Sequence, residues 1–167
     1  MPKIRDFSSV IFWPYLAMVV LAPLPFGSIY PWSSTLIATF TGILLLGWAA
    51  QTAFGSARPA IGLKQAWPFV LPFLLLVAWI VIQMASWTPE SWHHPFWKTA
   101  GEILGEKLPG RITLDAAESA NGLMRLLTYG GVFWLALQYG RDSRNARRMI
   151  VSLAIAGFLY AAYGLAM

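Results

Sequence analysis

The sequence predicts an all-α, polytopic transmembrane protein of about five spans, with one short interfacial helix in an external loop, built as a single transmembrane helical domain over residues 1–167. Three observations carry this. The chain is 57% hydrophobic and only 11% charged, whereas a soluble domain has about 25% charged residues. Apolar runs of membrane-spanning length recur along it, separated by short polar links. Most of the 12 Lys and Arg residues sit in the links at the ends of those runs, where bases set orientation, and not across one soluble face.

The net charge of +5 therefore reads as topology and not as a nucleic-acid footprint. With no Cys in the chain, disulfides, thiolate catalysis and Cys-ligated metal sites are excluded. Lys3 and Arg5 precede the first apolar run as in a signal peptide. No A-x-A-like cleavage site follows, however, and Pro23 and Pro25 close the run, so a retained first span is expected.

That first span covers about residues 8–24, with Pro14 in its first turns, where a missing N–H costs least. The uncharged stretch 22–33, APLPFGSIYPWS, predicts a tight turn with Tyr30 and Trp32 at headgroup level. The second span is 35–53, in which Gly42 and Gly47 permit close approach of a neighbouring helix. A link over 54–66 carries Arg58 and Lys64 and no acid, and the third span is 67–87. Pro68 lies at its start, Pro72 is far enough in to bend it, and Trp67 and Trp87 mark its two interfaces.

Residues 88–118 form the predicted external loop. Phe96, Ala100, Ile103 and Leu104 fall at helical spacing, which predicts a short helix lying on the membrane surface and ended by Pro109-Gly110. The fourth span is 116–139, opened by Asp115 and Glu118 in the spacing of a capping box. At 1.5 Å per residue it is about 36 Å long, enough for a hydrocarbon core of about 30 Å. The fifth is 149–167, where Gly157, Ala161 and Gly164 form a small-residue stripe suited to helix packing. Five spans place Lys3, Arg5, Arg58, Lys64 and the four arginines of 141–148 on one side. The positive-inside rule makes that side, and the N-terminus, cytoplasmic, with the 88–118 loop and the C-terminus external.

Few residues stand out as chemistry. Arg125 lies inside the fourth span, where a charge costs about 2.5–3.5 kcal/mol at the helix centre and so usually has a partner or a task. It reads either as a cation that, with Arg111, meets a lipid phosphate, or as a long side chain snorkelling to the interface. His93 and His94 read as a catalytic or ligand pair, or as rings resting on the headgroups; no Cys, Asp or Glu stands beside them at metal-ligand spacing. Arg141, Arg144, Arg147 and Arg148 anchor topology or bind anionic lipid. Of the acids in the loop, Asp115 and Glu118 are better explained as helix-start residues than as a catalytic carboxylate pair. There is no phosphate-cradling glycine loop, G-x-S-x-G or H-E-x-x-H. No metal and no cofactor is implied.

Three stretches resemble the N-terminal part of the bacterial O-antigen ligase and polymerase family: LAPLPFGSIYPWS at 21–33, ITLDAAESANGLMRLLTYGGVFWLAL at 112–137, and RDSRNARRMIVSLAIAGFLYAAYGL at 141–165. The resemblance implies a multi-span inner-membrane protein serving glycan transfer from a polyprenyl-diphosphate carrier. It covers nearly the whole chain but only the first five of about a dozen spans in that family. The family's activity-linked arginines and histidine lie beyond the fifth span and match no position here, so no catalytic residue carries over. The chain as given would then be a front portion or shortened relative, not competent alone, with Arg125 and the external loop near the carrier. A second reading, from the residues alone, is a non-catalytic membrane subunit. Such a chain would pack against other membrane chains of a respiratory, photosynthetic or transport assembly.

Overall fold

The computed structural model describes residues 8–24, 31–54 and 59–166. They form six α-helices: α1 (Ser8–Leu21), α2 (Pro31–Ala53), α3 (Leu63–Met84), α4 (Phe96–Leu104), α5 (Ala116–Gly140) and α6 (Ser143–Ala166), with a 3₁₀ turn at Glu90–Trp92. No strand occurs among the described residues. Three helices are long and apolar enough to cross a membrane, over Trp32–Ala53, Leu63–Met84 and Ser143–Ala166. α5 matches them in length but carries Glu118, Asn121, Arg125 and Gln138, and α1 is shorter, at 14 residues. The turn around Tyr30, and Lys3, Arg5 and Arg58, lie outside the described residues.

Helix ends differ from the apolar runs for local reasons. α6 begins at Ser143, not 149, because Asp142 caps it: its Oδ1 accepts the N–H groups of Arg144 (2.8 Å) and Asn145 (3.3 Å). α5 starts as its sequence indicates, Asp115 Oδ1 accepting from Ala117 N and Glu118 N, each at 2.9 Å. Glu118 itself accepts from Asn121 Nδ2 at 3.3 Å. α4 stops earlier than Pro109-Gly110, because Gly105 adopts the left-handed conformation (φ 69°) that only glycine takes at little cost. The chain then turns back, and Glu106 N donates to Gly101 O at 3.1 Å. A Cβ on Gly101 would come within 2.8 Å of Glu106 O, so a side chain there would block the return.

The chain divides into two compact units, 1–62 with 128–167, and 63–127. In the first, α1, α2, the second half of α5 and α6 enclose Ile11, Phe12, Tyr15, Leu16, Leu44, Leu135 and Tyr139. The contacts fix helix directions. Ile11 lies beside Gly47 and Met18 beside Thr41, so α1 and α2 are antiparallel. Gly131 lies against Thr41 and Leu45 while Trp48 meets Trp134 edge-on at 5.7 Å, so α2 and α5 run parallel. Tyr15 Oη donates to Val132 O (3.1 Å) and Phe12 meets Tyr139, so α1 and α5 are antiparallel. Arg148 lies over Trp13 and Tyr160 Oη donates to Val20 O (2.6 Å), so α1 and α6 are parallel.

Gln138 adds a polar clasp inside this apolar unit. It is buried; its Oε1 accepts from Ala60 N (2.9 Å) and Ile61 N (3.3 Å), and its Nε2 donates to Ile61 O (3.0 Å). One side chain thus satisfies three backbone groups of the link that follows α2, groups that would be costly to bury unpaired.

The second unit holds α3, α4 and the first half of α5. Thr113 is its junction. Its N–H donates to Gln83 O (3.1 Å) at the end of α3, and its carbonyl accepts from Trp97 Nε1 (3.1 Å) of α4. Its hydroxyl meets Ser119 Oγ at 2.8 Å on α5, and both hydroxyls lie within hydrogen-bond reach of Asp115 O.

Candidate functional site

The second unit contains a half-open cavity of about 790 Å³. α4 builds one wall through Lys98, Gly101 and Glu102, spaced i, i+3, i+4, so that they share one face of the helix, and Gly105 at its end continues that wall. The opposite face carries Phe96, Ile103 and Leu104, all exposed (58%, 78% and 64%). α4 is therefore amphipathic in the sense the sequence indicates, with its polar side turned to the cavity.

Both histidines line the cavity. Thr88 is buried and its hydroxyl donates to Ala85 O (3.2 Å), so the 3.1 Å contact with His93 Nε2 is a bond donated by the imidazole. The His93 ring lies against buried Gly110, with no room for a Cβ at that position. His94 is exposed; its Nδ1 accepts from Phe96 N (3.2 Å), and its backbone N donates to Arg111 O (2.9 Å). In the neutral ring that acceptor role at Nδ1 leaves the proton to Nε2. His93 links Gly110 to Thr88, which follows α3. Both rings thus join the polar lining of the cavity.

The charges around the cavity are mixed: Lys98 and Lys107 against Glu90, Glu102 and Glu106. Lys107 and Glu90 approach to 3.9 Å with both side chains almost fully exposed, a pair that contributes little. Such a lining suits a polar ligand with both donors and acceptors better than a multiply charged one. Among the described residues no group of three or more His, Asp or Glu side chains is arranged to hold a metal ion.

The remaining sequence candidates lie elsewhere. Arg111 contributes its carbonyl to His94; its side chain is half-buried, with Nε buried and lacking a hydrogen-bond partner among the described residues. Arg125 is half-buried on α5, and neither arginine lines the cavity. Arg141, Arg144, Arg147 and Arg148 are exposed. Gly157 and Gly164 face open space and Ala161 is exposed, so the stripe on α6 packs against nothing among the described residues. Gly47 and Gly131 provide the close approaches instead, while Gly42 faces open space. The residues missed by sequence reasoning are Thr88, Thr113 and Gln138. An amide in the last turns of a membrane helix was a signal that a partner must exist; nothing local distinguished the two threonines.

The fold defines an α-helical membrane protein. Comparison with protein-family models, curated proteins and solved structures finds no match.

Proposed function

We propose that this chain is the N-terminal membrane portion, or a shortened relative, of an O-antigen ligase- or polymerase-like protein in a bacterial inner membrane. It serves the assembly of cell-surface polysaccharide from polyprenyl-diphosphate-linked glycan. The observation that carries this reading is the ordered set of three resembling stretches at 21–33, 112–137 and 141–165. The mixed donor–acceptor lining around His94, Lys98 and Glu102 supports it, because hydroxyl-rich glycans are held by such groups. The role assigned to the chain is carrier and glycan binding, with the 88–118 loop external and Arg111 and Arg125 near the carrier phosphate. The transfer chemistry is assigned to other residues.

Five crossings are part of this proposal. The parallel packing of α2 and α5 supports them: the intervening chain must return across the membrane an odd number of times, and α3 is the apolar helix in that interval long enough to do so. Reporter fusions placed after residues 58, 98 and 143 check it; the outer two should report the cytoplasm and the middle one the outside. The function is tested by deleting the gene in its host and analysing lipid-linked glycans. Accumulation of the polyprenyl-diphosphate intermediate with loss of surface polymer is expected; an unchanged glycan profile would remove the reading.

A second reading, a non-catalytic subunit packed against partner chains, is favoured by the open Gly157 and Gly164 face, flanked by exposed Phe158 and Tyr163. Native mass spectrometry from mild detergent separates the two: stoichiometric partner chains on an 18.5 kDa polypeptide favour the subunit.

A further inference from the structure

The short connection from α5 to α6 concentrates positive charge that no acidic side chain among the described residues pairs with. Arg141, Arg144, Arg147 and Arg148 are all exposed. Asp142, the acid among them, uses its carboxylate to cap α6 through Arg144 N and Asn145 N. The Lys107–Glu90 ion pair lies in the other compact unit. At 3.6 residues per turn, positions 144, 147 and 148 share one side of α6 within about 100°. Asn145, Ala146 and Met149 occupy the other side and are half-buried, Met149 against the core. The packing of α6 thus turns three guanidinium groups outward together.

Two further features locate this face. The Arg148 guanidinium carbon stands 5.4 Å from the centre of the Trp13 ring. α1 and α6 run parallel, so Trp13 belongs to the same end of the unit as the arginines. Immediately beyond them α6 becomes apolar, with Ile150 and Val151 exposed at 68% and 46% and Val10 of α1 at 60%. An anion held by the arginines lies within one helical turn of exposed hydrocarbon and beside an aromatic ring suited to headgroup depth.

We infer that this face is a binding site for an anionic phospholipid, its phosphate held by Arg144, Arg147 and Arg148, with Trp13 as the aromatic wall and the acyl chains along Ile150 and Val151. Guanidinium forks match phosphate oxygens bidentately, and Arg is the side chain best suited to that geometry. The adjoining exposed carbon selects a lipid over a free phosphate. The inference stands apart from the glycan-assembly reading.

The test uses the full chain in neutral detergent, with native mass spectrometry to count bound lipid. The probes are phosphatidylglycerol, phosphatidylcholine with the same acyl chains, and glycerol 3-phosphate. Phosphatidylglycerol should be retained at least tenfold better than phosphatidylcholine, and glycerol 3-phosphate at equal concentration should not displace it. At about fivefold per basic residue, Arg147→Gln with Arg148→Gln should weaken retention about 25-fold. Arg147→Lys with Arg148→Lys, which keeps charge and orientation, should weaken it several-fold. Lys98→Gln with Lys107→Gln, which removes the same charge elsewhere, should leave it unchanged. Equal retention of the two lipids, displacement by glycerol 3-phosphate, or equal losses in the arginine and lysine variants would each overturn the assignment.

Discussion

The two compact units of this chain are held together by different physics. Around Phe12, Tyr15, Leu135 and Tyr139, helices meet through rings and aliphatic carbon, and the closest approaches occur at glycines. In residues 85–119, order comes from hydrogen bonds that converge on Thr113, Thr88 and the backbone of Arg111, while most apolar side chains nearby are exposed. Lipid is as apolar as Leu, so helices in it gain little from hiding carbon and associate through fit. A segment with little regular helix must instead satisfy its backbone polar groups one by one, and a dense local network does that. Gln138 is the exception that clarifies the rule. It is a polar clasp placed in the apolar unit because the link after α2 brings buried backbone groups there.

This contrast can be broken experimentally. The largest effect is expected from Gln138→Leu, which strands the buried N–H and carbonyl of Ile61. Unfolding in detergent, followed by circular dichroism, should show a loss of about 2–4 kcal/mol, and a loss below that would mean water enters the clasp. Gly131→Val comes next. A Cβ there would lie 2.8 Å from Leu45 Cδ1 and Thr41 Cγ2, so overpacking should cost about 1–3 kcal/mol in the same assay. Gly110→Ala perturbs the other unit by pressing on the His93 ring, which the Thr88 bond holds in place. It should lower stability by about 1–2 kcal/mol and shift the His93 imidazole resonances, while leaving the Gly131 region unchanged in hydrogen exchange. The smallest effect is expected at Gly157→Ala, where open space means the change acts only through helix propensity. It should stabilise the isolated chain by up to about 1 kcal/mol; destabilisation would show that something covers that face.

Glycines show most clearly what reading order alone can and cannot reach. Gly42, Gly47, Gly157 and Gly164 look equivalent in sequence, yet Gly47 alone among them has a neighbour within contact distance. Gly105 ends α4 where Pro109-Gly110 was expected to. Whether a glycine is needed depends on an atom that arrives from elsewhere in the chain, such as Thr41 for Gly131 or the His93 ring for Gly110.

By itself the sequence determined the helical class, the apolar character of α2, α3 and α6, the cap at Asp115 and the amphipathic character of α4. These depend on hydropathy and on hydrogen bonds spanning three or four residues, so they are written in adjacent letters. The tertiary structure decided which helices run parallel, where Gln138 finds its partners 77 and 78 positions away, and that the His93 ring meets Thr88 and Gly110. It also decided that three arginines face outward together at the start of α6. Those outcomes arise when distant segments compete for the same space and the same donors, and no local pattern encodes the winner.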